Sequence, residues 1–215
     1  MTAREEKTAV ARWASRAPSV DDFDNAEWNN ADPVQLTRYW SGAEAPPARH
    51  ASARVRWSNE ALHLLFDCRQ QEPLVASADP QTHQKTIGLW DRDVCEIFIA
   101  PDPEAPEIYY EFEAAPTGEW LDVAITFKDQ ERQADWSFLS GMTVASRKEG
   151  ERLLIGMRIP WTTRIPKPAP GQEWRVNFLR CIGSGDDRGY LAWQPTRTAE
   201  PNFHVPSVFG WLLFQ

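Results

Sequence analysis

Three glutamates interrupt two apolar runs of the sequence, where carboxylates are not expected. Glu96 falls within DVCEIFIA (93–100), and Glu111 and Glu113 fall within IYYEFEAAP (108–116). Alternate side chains of a β-strand point to the same face, so two neighbouring strands would bring all three carboxylates together. A face that combines carboxylates with aromatic side chains is a candidate binding site. The alternative is a solvated outer face that carries cross-strand charges.

An aromatic residue stands just before the first of these runs. Trp90 lies in GLWDRDVCEIFIAP (88–101), and the chain has 11 Trp residues in all. Many of them are expected in the core, because indole rings carry large apolar areas. An aromatic excess in an acidic protein is also what a carbohydrate-binding surface needs, since sugar C–H faces stack on aromatic planes while the hydroxyls require polar partners. We expect Trp90 either to lie over a pocket with Glu96 beneath it, or to cover the core edge with Glu96 paired to Arg92 or another arginine.

The elements that must position these residues are short apolar or alternating runs separated by turn residues, which is typical of a β-sandwich or barrel. Helix is scarce, with residues 2–15 and the segment IPWTTRIP (159–166) as the two candidates. The sequence therefore predicts an all-β protein. The predicted strands cover residues 53–58, 61–69, 93–100, 108–116, 120–127, 143–149, 152–160, 173–182, 190–195 and 209–214.

Length and composition narrow the class further. No linker or repeat divides the 215 residues, so we predict a single domain over residues 19–215 after an N-terminal extension over residues 1–18. The formal charge of -8 argues against a nucleic-acid partner, which needs clustered Lys and Arg. No apolar run approaches the roughly 18 residues that span a bilayer, so no membrane partner is expected.

The N-terminus and the cysteines bear on the compartment. The first segment lacks a continuous apolar core and carries Glu5 and Glu6, so it is a poor secretory signal. We expect a cytoplasmic protein, or an extracytoplasmic one if an upstream segment is missing. Cys68, Cys95 and Cys181 lie far apart with apolar neighbours and without CxxC spacing, which indicates reduced, buried thiols.

Several stretches together resemble the family 9 carbohydrate-binding modules and their DOMON-like relatives, which are antiparallel, jelly-roll-like β-sandwiches. SVDDFDNAEWNNA (19–31) is similar to the family's opening turn. GLWDRDVCEIFI (88–99) fits its W-x-x-D-x-x-E signature before a buried strand. LAWQPT (191–196) and NFHVPSVFG (202–210) look like its closing segments, and all occur in the family's order.

The resemblance implies roles for particular residues. Trp90 would be one plate of an aromatic clamp around a terminal sugar, and Glu96 would accept hydrogen bonds from its hydroxyls. The second plate falls at Phe203, with Trp193 as its substitute. Glu111 stands where those modules carry a donating arginine, so their specificity does not transfer.

The remaining candidate ligand residues are Glu113, on the glutamate face, and two polar residues in apolar strands, Asn177 and Arg158. Solvent exposure is the alternative interpretation of the last two.

The family's calcium sites suggest a structural calcium ion at Asp21, Asp22 and Asp24, although an acidic turn also forms without metal. No other cofactor is expected.

The predicted function is non-catalytic binding of a mono- or oligosaccharide by aromatic stacking and carboxylate hydrogen bonds. One alternative is an interaction or scaffold β-sandwich that has lost its sugar site, in which case the space between Trp90 and Phe203 would be filled. The other alternative is a glycoside hydrolase, which would need two of the three glutamates on opposite sides of a groove.

Overall fold

The computed structural model of the chain describes residues 7–129 and 131–215, and its regular structure is almost entirely β. The helical segments are short 3-10 turns at Ala26–Asn30, Pro47–Arg49, Leu89–Asp91, Gly185–Asp187 and Pro206–Val208. The strands are β1 (Thr8–Trp13), β2 (Val34–Leu36), β3 (Ala51–Trp57), β4 (Ala61–Arg69), β5 (Val94–Ala100), β6 (Ile108–Ala114), β7 (Trp120–Lys128), β8 (Glu131–Asp135), β9 (Thr143–Glu149), β10 (Arg152–Pro160), β11 (Glu173–Ile182), β12 (Gly189–Ala192) and β13 (Gly210–Phe214).

The strands form two layers, which confirms the predicted β-sandwich. The front layer runs β8-β7-β6-β5-β11-β13, with β12 also paired to β11. The back layer runs β3-β4-β10-β9, with β2 also paired to β3. β1 joins the layers, because it pairs in parallel with β13 on one side and with β3 on the other. Every other strand pairing is antiparallel.

The main core lies between the layers, where Ile97 and Phe112 of the front layer share one apolar cluster with Leu64 and Phe66 of the back layer. The front layer is also covered on its outer face, where Phe98 and other apolar residues form a second cluster. β5 is therefore buried along its whole length, which explains why its sequence is nearly all apolar. Within the described residues, none of the helices is both long and apolar enough to cross a membrane.

The three cysteines are free and buried, as predicted. Two of them meet between the layers, where the Sγ atoms of Cys68 on β4 and Cys95 on β5 lie 3.5 Å apart.

Both predicted helices are wrong where the structure describes them. Residues 8–13, which the sequence analysis assigned to an N-terminal extension, form β1 and insert Ala9 and Ala11 into the main core. Residues 8–13 pair with β13 on one edge and with β3 on the other. This backbone pairing outweighs the weak helix preference of the segment. Residues 2–6 lie outside the described residues. In 159–166, Pro160 ends β10 and the Thr162 hydroxyl accepts a hydrogen bond from the Ile165 amide, closing a local turn instead of a helix.

A buried histidine on the outer face of the back layer makes stability depend on pH. His63 is only 4% exposed and its Nε2 lies 3.0 Å from the Ser58 hydroxyl. Burial, and then the charge of Arg158, lowers the pKa of His63 to about 4. The unfolded chain takes up a proton below about pH 6.5, whereas the folded chain does not until about pH 4. The folded state therefore loses up to about 3 kcal/mol as the pH falls through that window.

We expect His63→Gln to flatten this dependence. Urea unfolding at pH 7, 6, 5 and 4 should show a smaller loss of unfolding free energy in the variant than in the wild type. Equal slopes in the two proteins would mean that His63 is not the group responsible.

Candidate functional site

The three glutamates meet on the outer face of the front layer. β5 and β6 are antiparallel, with Glu96 opposite Glu113 and Phe98 opposite Glu111. One carboxylate oxygen of each glutamate lies within 4.8 Å of the others. The predicted shared face is thus confirmed, but it is not a solvated one. Glu96 is 2% exposed, Glu111 5% and Glu113 0%.

The cluster has few partners. Glu96 Oε1 accepts a hydrogen bond of 3.3 Å from the Cys181 thiol, whereas neither carboxylate oxygen of Glu113 accepts one from a described residue outside the cluster. Arg92 pairs with Glu119 at 3.0 Å, so the alternative in which Arg92 neutralises Glu96 is not observed. The outer face of the front layer therefore holds three buried carboxyl groups without a paired arginine or lysine among the described residues.

Burial dominates the protonation of the cluster. It raises the pKa of Glu96 to about 8, with the charge of Glu111 adding to the effect. Burial also raises the pKa of Glu113 well above its usual range, and the charges of Glu96 and Glu111 raise it further. The pKa of Glu111 is raised by burial as well, although a hydrogen bond with Glu113 and the charge of Arg132 lower it in part. Without a bound cation, the cluster therefore retains protons near neutral pH.

A pocket of about 280 Å³ opens above the glutamates. Glu96 and Glu111 contribute to its lining, and Glu113 lies just outside the lining. The other lining residues come from β5 and the segment before it, from β7, from β8 and the turn after it, from β11 and β12, and from the segment after β12: Trp90, Asp91, Phe98, Ile125, Arg132, Ala134, Trp136, Cys181, Tyr190, Pro201, Asn202, Phe203 and His204.

Two exposed indoles stand at this pocket. Trp90 is 37% exposed and Trp136 is 40% exposed, and their ring centroids lie 6.2 Å apart with planes inclined at 34°. The 3-10 turn Leu89–Asp91 holds Trp90 in place, because Leu89 is buried and the Trp90 carbonyl accepts a hydrogen bond from Arg188. Gly88 begins that turn at φ +82°, a conformation that residues with a side chain rarely adopt.

Trp136 belongs to the turn that follows β8. The Asp135 carboxylate accepts hydrogen bonds from the Ser137 amide at 3.1 Å and the Ser137 hydroxyl at 2.6 Å, which close this turn. Arg164 also binds Asp135, at 2.7 Å. The position of Trp136 is thus fixed by its two neighbours in sequence and by a salt bridge.

A neutral histidine adds a polar group to the lining. The His204 ring stacks on Phe98 at a centroid distance of 5.2 Å, and its Nδ1 lies 2.7 Å from the Tyr109 hydroxyl. Burial lowers the pKa of His204 to about 3, so the ring is uncharged at neutral pH. Its Nδ1 is 4.0 Å from Glu111, and a neutral ring does not balance the charge of that carboxylate.

The other predicted ligand residues are divided between the pocket and the rest of the fold. Phe203 lines the pocket but is only 8% exposed, with its ring against Tyr190. Trp193 packs against Phe178 in the main core. The remaining two lie away from the pocket lining. The Asn177 amide binds the backbone of Gln194, and Arg158 pairs with Glu60 on the back layer at 3.1 Å.

The predicted calcium residues lie on the loop before the turn at Ala26–Asn30, and each carboxylate has its own partner. Asp21 accepts a hydrogen bond from Ser19, and Asp22 accepts one from Asn25. Asp24 forms a bidentate salt bridge with Arg147 on β9 at 2.9 Å. Among the described residues, these aspartates do not form a group of converging metal ligands, whereas the three glutamates do.

Sequence reasoning missed several lining residues. Arg132 and Trp136 lie on β8 and just beyond it, in ERQAD and DWSF, which carry no clear alternation of apolar residues. Asn202 and His204 lie in NFHVPSVFG, a stretch already recognised as distinctive, and their neighbour Phe203 was selected instead. Arg132 supplies a guanidinium at the pocket from a different strand than the one that carries Glu111.

Comparisons with known proteins give one family and a consistent fold. The family model described as carbohydrate family 9 binding domain-like matches residues 20–215. Among solved structures, a proposed carbohydrate-binding protein from Bacteroides uniformis ATCC 8492 is similar, with a TM-score of 0.75, 18% identity, and coverage of 97% of this chain and 99% of that one. No curated protein matches.

A family 9 carbohydrate-binding module from Caldicellulosiruptor kristjanssonii is similar in two complexes. Its complex with cellotriose has a TM-score of 0.66 at 16% identity and covers 97% of this chain and 94% of that one. Its complex with glucose has a TM-score of 0.66 at 17% identity and covers 97% of this chain and 96% of that one.

Proposed function

The chain belongs to the carbohydrate family 9 binding domain-like family, and on this premise we propose that it binds a mono- or oligosaccharide in the pocket beside Trp90 and Trp136 without catalysing a reaction. The observation that carries the proposal is the pair of exposed indoles next to an open cavity with buried carboxyl groups beneath. The cellotriose and glucose complexes of the Caldicellulosiruptor kristjanssonii module support the ligand class.

The two indoles form one aromatic surface. A sugar ring sandwiched between two aromatic planes needs about twice the 3.5–4.0 Å contact distance of carbon atoms. The centroids of Trp90 and Trp136 are 6.2 Å apart, so the ring stacks on the pair and not between its members. This proposed surface differs from the clamp of Trp90 and Phe203 that the sequence predicted.

The polar lining supplies both kinds of hydrogen-bonding group. Glu96 and Glu111 accept hydrogen bonds from sugar hydroxyls, and in their protonated form each also donates one. Arg132 adds donors from β8. The cavity of about 280 Å³ is near the lower end of ligand pockets, about 300–1,000 Å³, which favours a single sugar unit or the end of a chain.

The alternatives fit less well. A glycoside hydrolase needs two carboxyl groups about 5 Å or more apart that flank the scissile bond, with one of them ionised. Here the glutamates lie side by side on one floor, within 4.8 Å, and the pKa of each is raised. An interaction scaffold predicts a filled space beside Trp90, whereas the pocket is open.

The test is a fluorescence titration with glucose, galactose, xylose, cellobiose and cellotriose. We expect a saturable change in tryptophan emission for at least one sugar, because binding removes water from Trp90 and Trp136. Chromatography of cellotriose after prolonged incubation should recover it intact. A flat response across the panel would contradict sugar binding, and release of glucose from cellotriose would contradict a non-catalytic role.

A further inference from the structure

We propose that Glu96, Glu111 and Glu113 hold a calcium ion at the floor of the pocket. This site differs from the loop of Asp21, Asp22 and Asp24, which lies against the back layer and whose carboxylates bind Ser19, Asn25 and Arg147.

The spacing of the oxygens fits a shared ion. Calcium binds oxygen ligands at 2.3–2.6 Å, so two ligands of one ion lie at most about 5 Å apart. One oxygen from each of the three glutamates lies within 4.8 Å of the others. They come from two adjacent strands whose register is fixed by backbone pairing, so the ligands are held in place before the ion arrives.

The second observation is the isolation of Glu113. Its side chain is fully buried, and neither of its oxygens accepts a hydrogen bond from a described residue outside the glutamate cluster. A buried carboxylate without a cationic partner is strongly unfavourable, so such a group either keeps a proton or binds a cation. Among the described residues, the basic side chain nearest to a carboxylate of the cluster is His204, 4.0 Å from Glu111, and its ring is uncharged at neutral pH.

The pocket gives the ion access and leaves room for further ligands. Glu96 and Glu111 line the open cavity, so an ion held by them is reached from solvent. Calcium takes six to eight oxygen ligands, more than three carboxylates supply unless all bind through both oxygens. The positions that face the cavity are then filled by water or by sugar hydroxyls, and this last step rests on the proposed function.

The test is calorimetric titration of the EDTA-treated protein with calcium chloride, and then with magnesium chloride. We expect saturable calcium binding that Glu113→Gln weakens at least tenfold. Asp24→Asn is the matched control, because it removes a carboxylate from the other acidic cluster. Circular dichroism checks folding, and Glu113→Gln is expected to fold because it replaces a buried carboxyl group with an amide of the same shape.

The outcomes separate the hypotheses. Absence of calcium binding to the wild type would overturn the proposal and leave protons as the neutralising species. Binding lost in Asp24→Asn but kept in Glu113→Gln would assign the ion to the aspartate loop and also overturn it. Sugar titrations run with calcium and with EDTA test the two proposals separately. Sugar binding without any calcium binding would contradict only the calcium site. Calcium binding without sugar binding would contradict only the proposed function.

Discussion

Replacement of Trp90 by alanine is expected to weaken sugar binding at least tenfold while leaving the fold intact. Trp90 is half-exposed at the pocket, so its removal deletes a stacking surface without opening the main core. Tenfold corresponds to about 1.4 kcal/mol, which lies within the effects seen on truncating a central aromatic contact. The loss of unfolding free energy should stay below about 1 kcal/mol. Fluorescence or calorimetric titration with the best sugar of the panel gives the affinity.

Trp13→Ala is the matched control for this experiment. Trp13 is 38% exposed, almost the same fraction as Trp90, but it packs against Trp57 at the end of β1, away from the pocket. Its replacement should leave the sugar affinity unchanged. Equal losses in the two variants would show that the effect is general destabilisation, and no loss in Trp90→Ala would remove Trp90 from the site.

Trp136→Ala distinguishes the aromatic surface seen in the structure from the clamp predicted by sequence. Because Trp136 touches Trp90 and is 40% exposed, its loss should also weaken binding about tenfold. If Phe203→Ala, checked to be folded, weakens binding while Trp136→Ala does not, the clamp predicted from the sequence is the correct arrangement.

The largest expected effect on stability comes from a single methyl group on the back layer. A Cβ added to Gly156 on β10 would lie 2.1 Å from the Val20 carbonyl oxygen, far inside van der Waals contact. The loop that carries Val20 also packs Phe23 and Trp28 onto this layer. Gly156→Ala must displace that loop, and we expect a loss of about 3 kcal/mol of unfolding free energy, measured by urea denaturation.

The control for Gly156→Ala exchanges the same two residue types in the opposite direction. Ala145 on β9 pairs directly with Gly156, and Ala145→Gly should cost only about 1 kcal/mol. Sugar affinity should be unchanged in both variants, because the pocket lies on the front layer. A smaller loss in Gly156→Ala than in Ala145→Gly would mean that the loop does not rest on β10.

Much of the fold was predictable because its strands carry strong signals. β4, β5 and β10 are apolar and end at turn residues, and each was predicted within a residue or two. β2 and β8 were missed, because VQL and ERQAD are too short or too polar to show alternation. β1 was predicted as helix, since its pairing with β13 and β3 is a long-range interaction that local sequence does not encode.

The site was predictable where local alternation decides it. The common face of Glu96, Glu111 and Glu113 follows from strand periodicity alone, once β5 and β6 are neighbours. The partner of Trp90 was not predictable in this way. It depends on how the turn after β8 folds back over the front layer, and that turn is set by Asp135 and Arg164.

The burial of the front layer on both faces has a consequence for engineering. Along β5 and β6, one set of alternate positions packs between the layers, and the other set lies on the outer face, where Glu96, Phe98 and Glu111 line the pocket. A library that varies only Glu96, Glu111 and Glu113 would change the charge, size and donors of the pocket floor while keeping Ile97 and Phe112 in the core. New ligand preferences can then be selected on this scaffold without altering the core between the two layers.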